Sequence, residues 1–146
     1  MEKLTRAKDY LGQIRIKSAQ IRRKYRKVNE LRDKAMHITV NVDVPRVQGG
    51  RVHDRVSSAV VNYQAKLEDI ACMTDDLIRM KHKAIEEIEQ LEDPQYMDVL
   101  CYRYIDGCTF EQIAAAMGIN IRTVYRIHGE ALQAFTDKVI NAGVPV

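Results

Sequence analysis

Two stretches in the first two-thirds of the chain place apolar residues at alternating spacings of three and four, which is typical of long amphipathic helices paired along one seam. In the first stretch the seam positions, interrupted only by Arg32, are Leu4, Ala7, Leu11, Ile14, Ser18, Ile21, Tyr25, Val28 and Ala35. In the second stretch they run from Val56 to Leu91. We therefore predict helices over about 3–37 and about 53–92 that form a long antiparallel, coiled-coil-like helical hairpin, residues 1–92.

Residues 38–52 separate the two stretches, and the helical pattern stops there. A β-branched run ends at Pro45 and is followed by Gly49 and Gly50. Because proline and paired glycines interrupt helices, this segment is predicted to be a loop.

From Asp93 onward the sequence carries the start and stop signals of shorter helices. Asp93 precedes Pro94, which is the combination of an N-cap residue with a proline in the first helical turn. Thr109 is followed three residues later by Gln112, the arrangement of a capping box at the start of a second helix over Phe110–Met117.

The second and third of these helices are predicted to meet at a tight turn. Gly118 suits the left-handed conformation that ends a helix, and Asn120 can cap a third helix from residue 121 to about 138. The inner positions of the pair are Ile113, Ala114, Met117, Ile119, Val124 and Ile127. We therefore predict an all-α fold: the hairpin, a C-terminal helix-turn-helix DNA-binding domain over 93–140, and a tail over 141–146.

The outer side of the third helix indicates DNA binding. The first residues of a recognition helix enter the major groove, where Arg bonds guanine, Asn pairs with adenine, and Ile or Thr methyl groups contact thymine. Amides at the start of the preceding helix are natural phosphate ligands. The candidate DNA-binding residues are Thr109, Gln112, Asn120, Ile121, Arg122, Thr123, Tyr125, Arg126 and His128.

Charge is distributed unevenly along the chain. Residues 1–40 hold twelve basic and four acidic residues, whereas residues 41–100 hold seven basic and twelve acidic. The first helix is therefore basic and the second acidic, which favours their pairing. One dense basic cluster also suits contact with a phosphate backbone, and both interpretations stay open for it. Its members are Arg22, Arg23, Lys24, Arg26 and Lys27.

Several classes of function lack support in the sequence. The spacing of Cys101 and Cys108 relative to His82 and His128 matches no zinc site, so neither a metal nor another cofactor is expected. No glycine-rich phosphate loop and no carboxylate pair beside a histidine occur, so we expect no enzymatic activity. The chain shows no signal peptide and no apolar stretch of transmembrane length, which predicts a soluble, cytoplasmic protein without a membrane partner.

Residues 93–135 resemble region four of bacterial sigma-70 factors. The resemblance rests on Leu100–Gly107 and Thr109–Ala114, followed by Met117-Gly118-Ile119 and Thr123-Val124. The whole chain is similar to phage-encoded transcriptional regulators of the ArpU and RinA type through Leu91–Pro94 and Val124–Leu132. These resemblances imply a phage or prophage regulator acting in a bacterial host cell, with a helix-turn-helix of sigma region-4 type. They place Ile121, Arg122, Tyr125 and Arg126 at base-reading positions.

Three functional hypotheses follow. The first is a sequence-specific transcriptional regulator that binds double-stranded DNA as a homo-oligomer, with a dimer favoured because one such motif contacts only a half-site. The second is a small terminase subunit for phage DNA packaging, since such subunits also join a helix-turn-helix to oligomerising helices. The third is a sigma-like module that docks on RNA polymerase without reading DNA.

Overall fold

The computed structural model describes residues 2–41 and 49–142, which form five α-helices and, within those ranges, no β-strand. The helices are α1 (Glu2–Asn41), α2 (Gly49–Ile88), α3 (Pro94–Leu100), α4 (Phe110–Met117) and α5 (Ile121–Phe135). Two π-helical turns, Cys101–Ile105 and Thr136–Ile140, extend α3 and α5. The predicted all-α fold is confirmed. Of the helices described, none has the length and apolar character required to cross a bilayer.

Helices α1 and α2 run antiparallel. Tyr10 of α1 donates a hydrogen bond to Glu87 of α2 at 2.6 Å, and Lys24 of α1 forms an ion pair with Asp69 of α2. Residues later in α1 contact residues earlier in α2, which is the arrangement of antiparallel helices. The predicted long helical hairpin is confirmed.

The hairpin helices differ from their predicted limits. Residues 38–41 belong to α1 and residues 49–52 to α2, while α2 ends at Ile88. The predicted loop over 38–52 is therefore too long at both ends. Gly49 and Gly50 stand in the first turn of α2, where backbone N–H groups lack intrahelical partners in any case, and β-branched residues lower helix propensity only slightly. The central part of that loop, 42–48, and the end of the predicted tail, 143–146, lie outside the described residues.

The chain packs as two compact units, which we call the core unit (Met1–Lys17 with Leu77–Val146) and the hairpin unit (Ser18–Asp76). This division differs from the predicted boundary between residues 92 and 93. In the core unit, Leu11 of α1, Ile88 of α2, Leu100 of α3 and Phe135 of α5 are fully buried in one cluster. The ends of both hairpin helices therefore share a hydrophobic core with the C-terminal helices.

A second cluster in the core unit holds the C-terminal helices together. Val99 of α3, Ile113 of α4, and Val124 and Ile127 of α5 are each at most 1% exposed. Burying a side chain of this kind contributes on the order of 2 kcal/mol. The remaining predicted inner positions, Ala114, Met117 and Ile119, pack against this cluster. The predicted inner face of the α4–α5 pair is confirmed.

The hairpin unit buries less of its apolar surface. Ile21, Val28 and Ile70 are buried along its seam, whereas Tyr25 and Val60, also at predicted seam positions, are 50% and 43% exposed. Two helices cover only one side of each other, so part of the predicted seam faces solvent in the isolated chain.

Candidate nucleic-acid interface

The junction between α4 and α5 is built from the residues that the sequence pattern singled out. Thr109 Oγ1 accepts the Gln112 N–H at 3.2 Å, and Gln112 Oε1 accepts the Thr109 N–H at 2.9 Å. Gly118 adopts the left-handed conformation with φ of 65°. Asn120 Oδ1 accepts the Arg122 N–H at 2.9 Å. The predicted capping box, turn glycine and N-cap are all confirmed, and they fix where α5 begins.

Helix α5 has one buried and one exposed side. Val124, Ile127 and Leu132 lie in the core, whereas Arg122, Tyr125 and Arg126 are exposed. Of the other candidate DNA-binding residues, Thr109, Gln112 and Asn120 are exposed, and Ile121 and Thr123 are half-buried. The first turns of α5 therefore present a mixed polar and cationic surface, which we call the α5 outer face: Asn120, Ile121, Arg122, Thr123, Tyr125 and Arg126.

His128 does not belong to the α5 outer face. It is only 9% exposed, its Nε2 lies 2.9 Å from Tyr104 Oη, and its ring centroid lies 5.1 Å from that of Phe110. The prediction that His128 contacts DNA is wrong on this geometry. Its position four residues after Val124 explains the result, because residues so spaced share one side of a helix.

The environment of His128 keeps its ring neutral. Burial lowers the pKa of His128 from 6.5 to about 4, and the positive charges of Arg103 and Lys8 add to the effect. At neutral pH the ring therefore holds one ring proton, and one ring nitrogen remains an acceptor.

Tyr125 is held by aromatic packing that sequence reasoning missed. Its ring centroid lies 4.8 Å from that of Phe110 at the start of α4. The Arg103 guanidinium also lies over the Phe110 ring, 4.1 Å from its centroid. Arg103 donates a hydrogen bond to the Cys108 carbonyl at 3.1 Å. Cation–π and aromatic contacts of this kind orient the participating groups. Arg103 lies in the π-helical turn after α3, and the sequence contains no signal for its contact with Phe110.

Arg126 shares a carboxylate with a tyrosine. Its guanidinium lies 3.0 Å from Glu130, one turn further along α5, and Tyr96 Oη donates to the same carboxylate at 3.1 Å. This hydrogen bond raises the pKa of Tyr96. Because the Arg126–Glu130 pair is exposed, it contributes only about 0.2–1 kcal/mol, so a phosphate can replace Glu130 as the partner of Arg126. Sequence reasoning gave Glu130 no role, although the spacing from Arg126 is that of a helical ion pair.

The basic cluster of α1 lies in the hairpin unit. Arg22, Arg23, Arg26 and Lys27 are exposed, whereas Lys24 is engaged by Asp69. One member of the cluster thus follows the helix-pairing interpretation, and phosphate contact by the other members stays a prediction.

Within the described ranges, no three His, Cys, Asp or Glu side chains lie close enough together to hold a metal ion. All three cysteines, Cys72, Cys101 and Cys108, are free thiols. Burial raises the pKa of the Cys101 thiol, so it is less reactive than an exposed one.

Comparison with known proteins identifies a family. Residues 39–136 match the family described as a protein of unknown function, DUF1492, and this segment includes all of α3, α4 and α5. No curated protein and no solved structure matches the chain. Since the matched segment covers more than half of the sequence, the chain belongs to the DUF1492 family.

Proposed function

We propose that this protein is a sequence-specific DNA-binding regulator of transcription that lays the first turns of α5 in the major groove. The observation that carries the proposal is the arrangement of α5: its inner side is anchored through Val124 and Ile127, and its start presents Asn120, Arg122, Tyr125 and Arg126 to solvent. A recognition helix requires this combination of rigid support and exposed groups at its N-terminal end.

Arg122 is the strongest candidate for base reading. It is exposed in the first turn of α5, and none of the ion pairs among the described residues includes it. An unpaired guanidinium can bond O6 and N7 of guanine together, which is the commonest specific contact in the major groove.

The start of α4 supplies the supporting contact to the DNA backbone. Thr109 and Gln112 satisfy two backbone N–H groups through the capping box, and the N-terminal end of the helix keeps its partial positive charge. A phosphate placed there would fix the position of α5 in the groove without reading sequence.

The test begins with selection of bound fragments from random DNA, followed by titration of the selected site with Arg122→Ala. We expect this variant to bind the site about 5- to 150-fold more weakly, equivalent to about 1–3 kcal/mol. Lys83→Ala is the matched control, because Lys83 is an exposed cation on α2 and does not belong to the α5 outer face. Selection that yields no preferred sequence, or equal affinity of both variants, would refute the proposal.

The regulator is proposed to act as a homo-oligomer, most simply a dimer, on phage or prophage genes in the cytoplasm of a bacterial host. Two copies would place two copies of α5 about one DNA turn apart on a symmetric site. Native mass of the DNA complex separates this proposal from the packaging hypothesis. A dimer supports regulation, whereas a closed ring of many subunits would indicate a small terminase subunit. RNA polymerase binding that persists with the Arg122→Ala variant would indicate the sigma-like docking module.

A further inference from the structure

A cleft separate from the α5 outer face lies in the core unit. Its volume is about 490 Å³, and it is bounded by α1, the π-helical turn after α3, the start of α4, and α5. Its aromatic lining consists of Tyr104, Phe110 and His128, and its charged lining consists of Lys8, Asp9, Arg15 and Arg103. This volume lies within the range of about 300–1,000 Å³ that is typical of small-molecule sites.

The cleft carries an excess of positive charge. Three cations, Lys8, Arg15 and Arg103, face one carboxylate, that of the exposed Asp9. Burial lowers the pKa of Arg103, and the charge of Arg15 lowers it further, which indicates that the two guanidinium groups repel each other. Within the described residues, no carboxylate forms an ion pair with either arginine.

Arg15 has an unsatisfied donor. Its Nη1 is buried from solvent and has no hydrogen-bond partner among the described residues. A buried charged donor without a partner is costly, and folded proteins usually complete one with an ordered water, a ligand or an ion. The partly exposed Arg15 guanidinium beside a second arginine therefore makes the cleft favourable for an acceptor with negative charge.

Gly12 keeps the α1 wall of the cleft open. It lines the cleft one turn before Arg15, and a Cβ built on it would meet no atom within 4 Å. Glycine is unfavourable within a helix, so its presence here needs a reason other than helix stability. Absence of a side chain at this position leaves room beside Arg15 for an occupant.

We propose that this cleft binds an anion of the phosphate class, held by Arg15 and Arg103 with Lys8 at the rim. Guanidinium groups match the geometry of tetrahedral oxyanions, since each offers paired N–H donors. The phosphate belongs either to a free small molecule or to a DNA backbone. Only the second source rests on the proposed DNA binding. Phe110 contacts both Arg103 and Tyr125, so an occupant lies one side chain away from the α5 outer face.

The first arm of the test uses free anions. Inorganic phosphate and pyrophosphate are titrated at constant ionic strength while Tm and the NMR signal of His128 are followed. We expect saturable stabilisation and a higher pKa of His128 in the wild-type protein. Arg15→Gln should weaken anion binding by about 10- to 100-fold, the effect of one charge-assisted hydrogen bond. Gly12→Leu, which fills the cleft without changing charge, should have a similar effect, whereas the Lys83→Gln control should bind normally.

The second arm identifies the source of the phosphate. If a DNA phosphate occupies the cleft, Arg15→Gln weakens DNA binding equally for all sequences and lowers the slope of log K against log salt by about 1. If the occupant is a free molecule, DNA affinity without added phosphate is unchanged, and the first arm alone is positive. If the protein binds the anion but selects no DNA sequence, the proposed function is refuted and the anion site is still supported. No saturable response to either anion, together with an unchanged salt slope, overturns it.

Discussion

His128 and Tyr104 form a buried polar pair that lines the cleft, and protonation of His128 links the stability of the core unit to pH. The folded-state pKa of His128 is about 4, against 6.5 for an unperturbed histidine. Between these values the unfolded chain binds a proton that the folded chain does not. The stabilising contribution is therefore complete above the unfolded-state pKa and is lost as pH falls from about 6.5 toward 4.

Denaturant unfolding at a series of pH values tests this prediction, with His128→Gln as the comparison. The variant should lose the part of the pH dependence that lies in this window, because glutamine can bond Tyr104 but does not titrate. Parallel pH profiles of the two proteins would show that His128 is not buried in its neutral form.

Glu130 restrains Arg126 on the α5 outer face through an exposed ion pair. Glu130→Gln should release Arg126 and remove a negative charge beside the α5 outer face, while the amide oxygen still accepts from Tyr96. We expect DNA affinity to rise by about 2- to 5-fold at low salt, with the gain declining as salt increases. Glu89→Gln, an exposed carboxylate after α2, is the control in the same titration. Weaker binding by the Glu130→Gln variant would show that Glu130 positions Arg126 for DNA instead of competing for it.

At the scale of elements, Gly118 and Gly129 make a matched pair. Gly118 ends α4 with φ of 65°, whereas Gly129 lies within α5, and an added Cβ meets nothing within 4 Å at either position. Gly118→Ala should destabilise the protein by about 1–2 kcal/mol through backbone strain alone. Gly129→Ala should stabilise it by about 0.5–1 kcal/mol through helix propensity. Thermal and urea unfolding measure both changes, and equal signs would contradict the conformations assigned to the two glycines.

Elements whose signals lie within a few residues could be predicted from sequence, whereas contacts between distant segments could not. The caps at Thr109 and Asn120 and the turn at Gly118 depend on local identity and spacing, and the structure confirms them. The core that joins Leu11 to Phe135 depends on which apolar stripes meet, and periodicity does not specify the partner of a stripe. The prediction for His128 failed for a related reason. A polar residue on the buried side of a helix is explained only when its hydrogen-bond partner, here Tyr104, is known.

At the scale of the whole molecule, the hairpin unit is the region best suited to self-association. Val61 is 62% exposed and Val60 43% exposed on α2, and the seam between the two helices leaves them uncovered. Neighbouring exposed apolar side chains such as these form a candidate surface for packing against another copy.

We expect the protein to sediment as a dimer and Val61→Glu to weaken dimerisation at least about tenfold, since burying a valine contributes on the order of 1.5–3 kcal/mol. Helicity by circular dichroism should be unchanged, because Val61 contributes little to the fold of the monomer. Gln64→Glu adds the same charge at an exposed position on the same helix and serves as control. A monomeric wild-type protein, or an equal effect of both substitutions, would exclude α2 as the dimer surface.

The N-cap hydrogen bond of α5 restricts how the Asn120 side chain can recognise a base. The carbonyl oxygen of Asn120 accepts the Arg122 N–H, which fixes the side chain in the cap and leaves that oxygen one further lone pair. Two-point pairing with adenine requires a donor and an acceptor on one amide, so Asn120 can form it only if the same oxygen accepts a second hydrogen bond in the cap geometry. Arg122 and Arg126 offer donors only. We therefore expect the DNA site bound by α5 to be rich in guanine opposite the first turn of the helix, since guanine presents two acceptors at its major-groove edge.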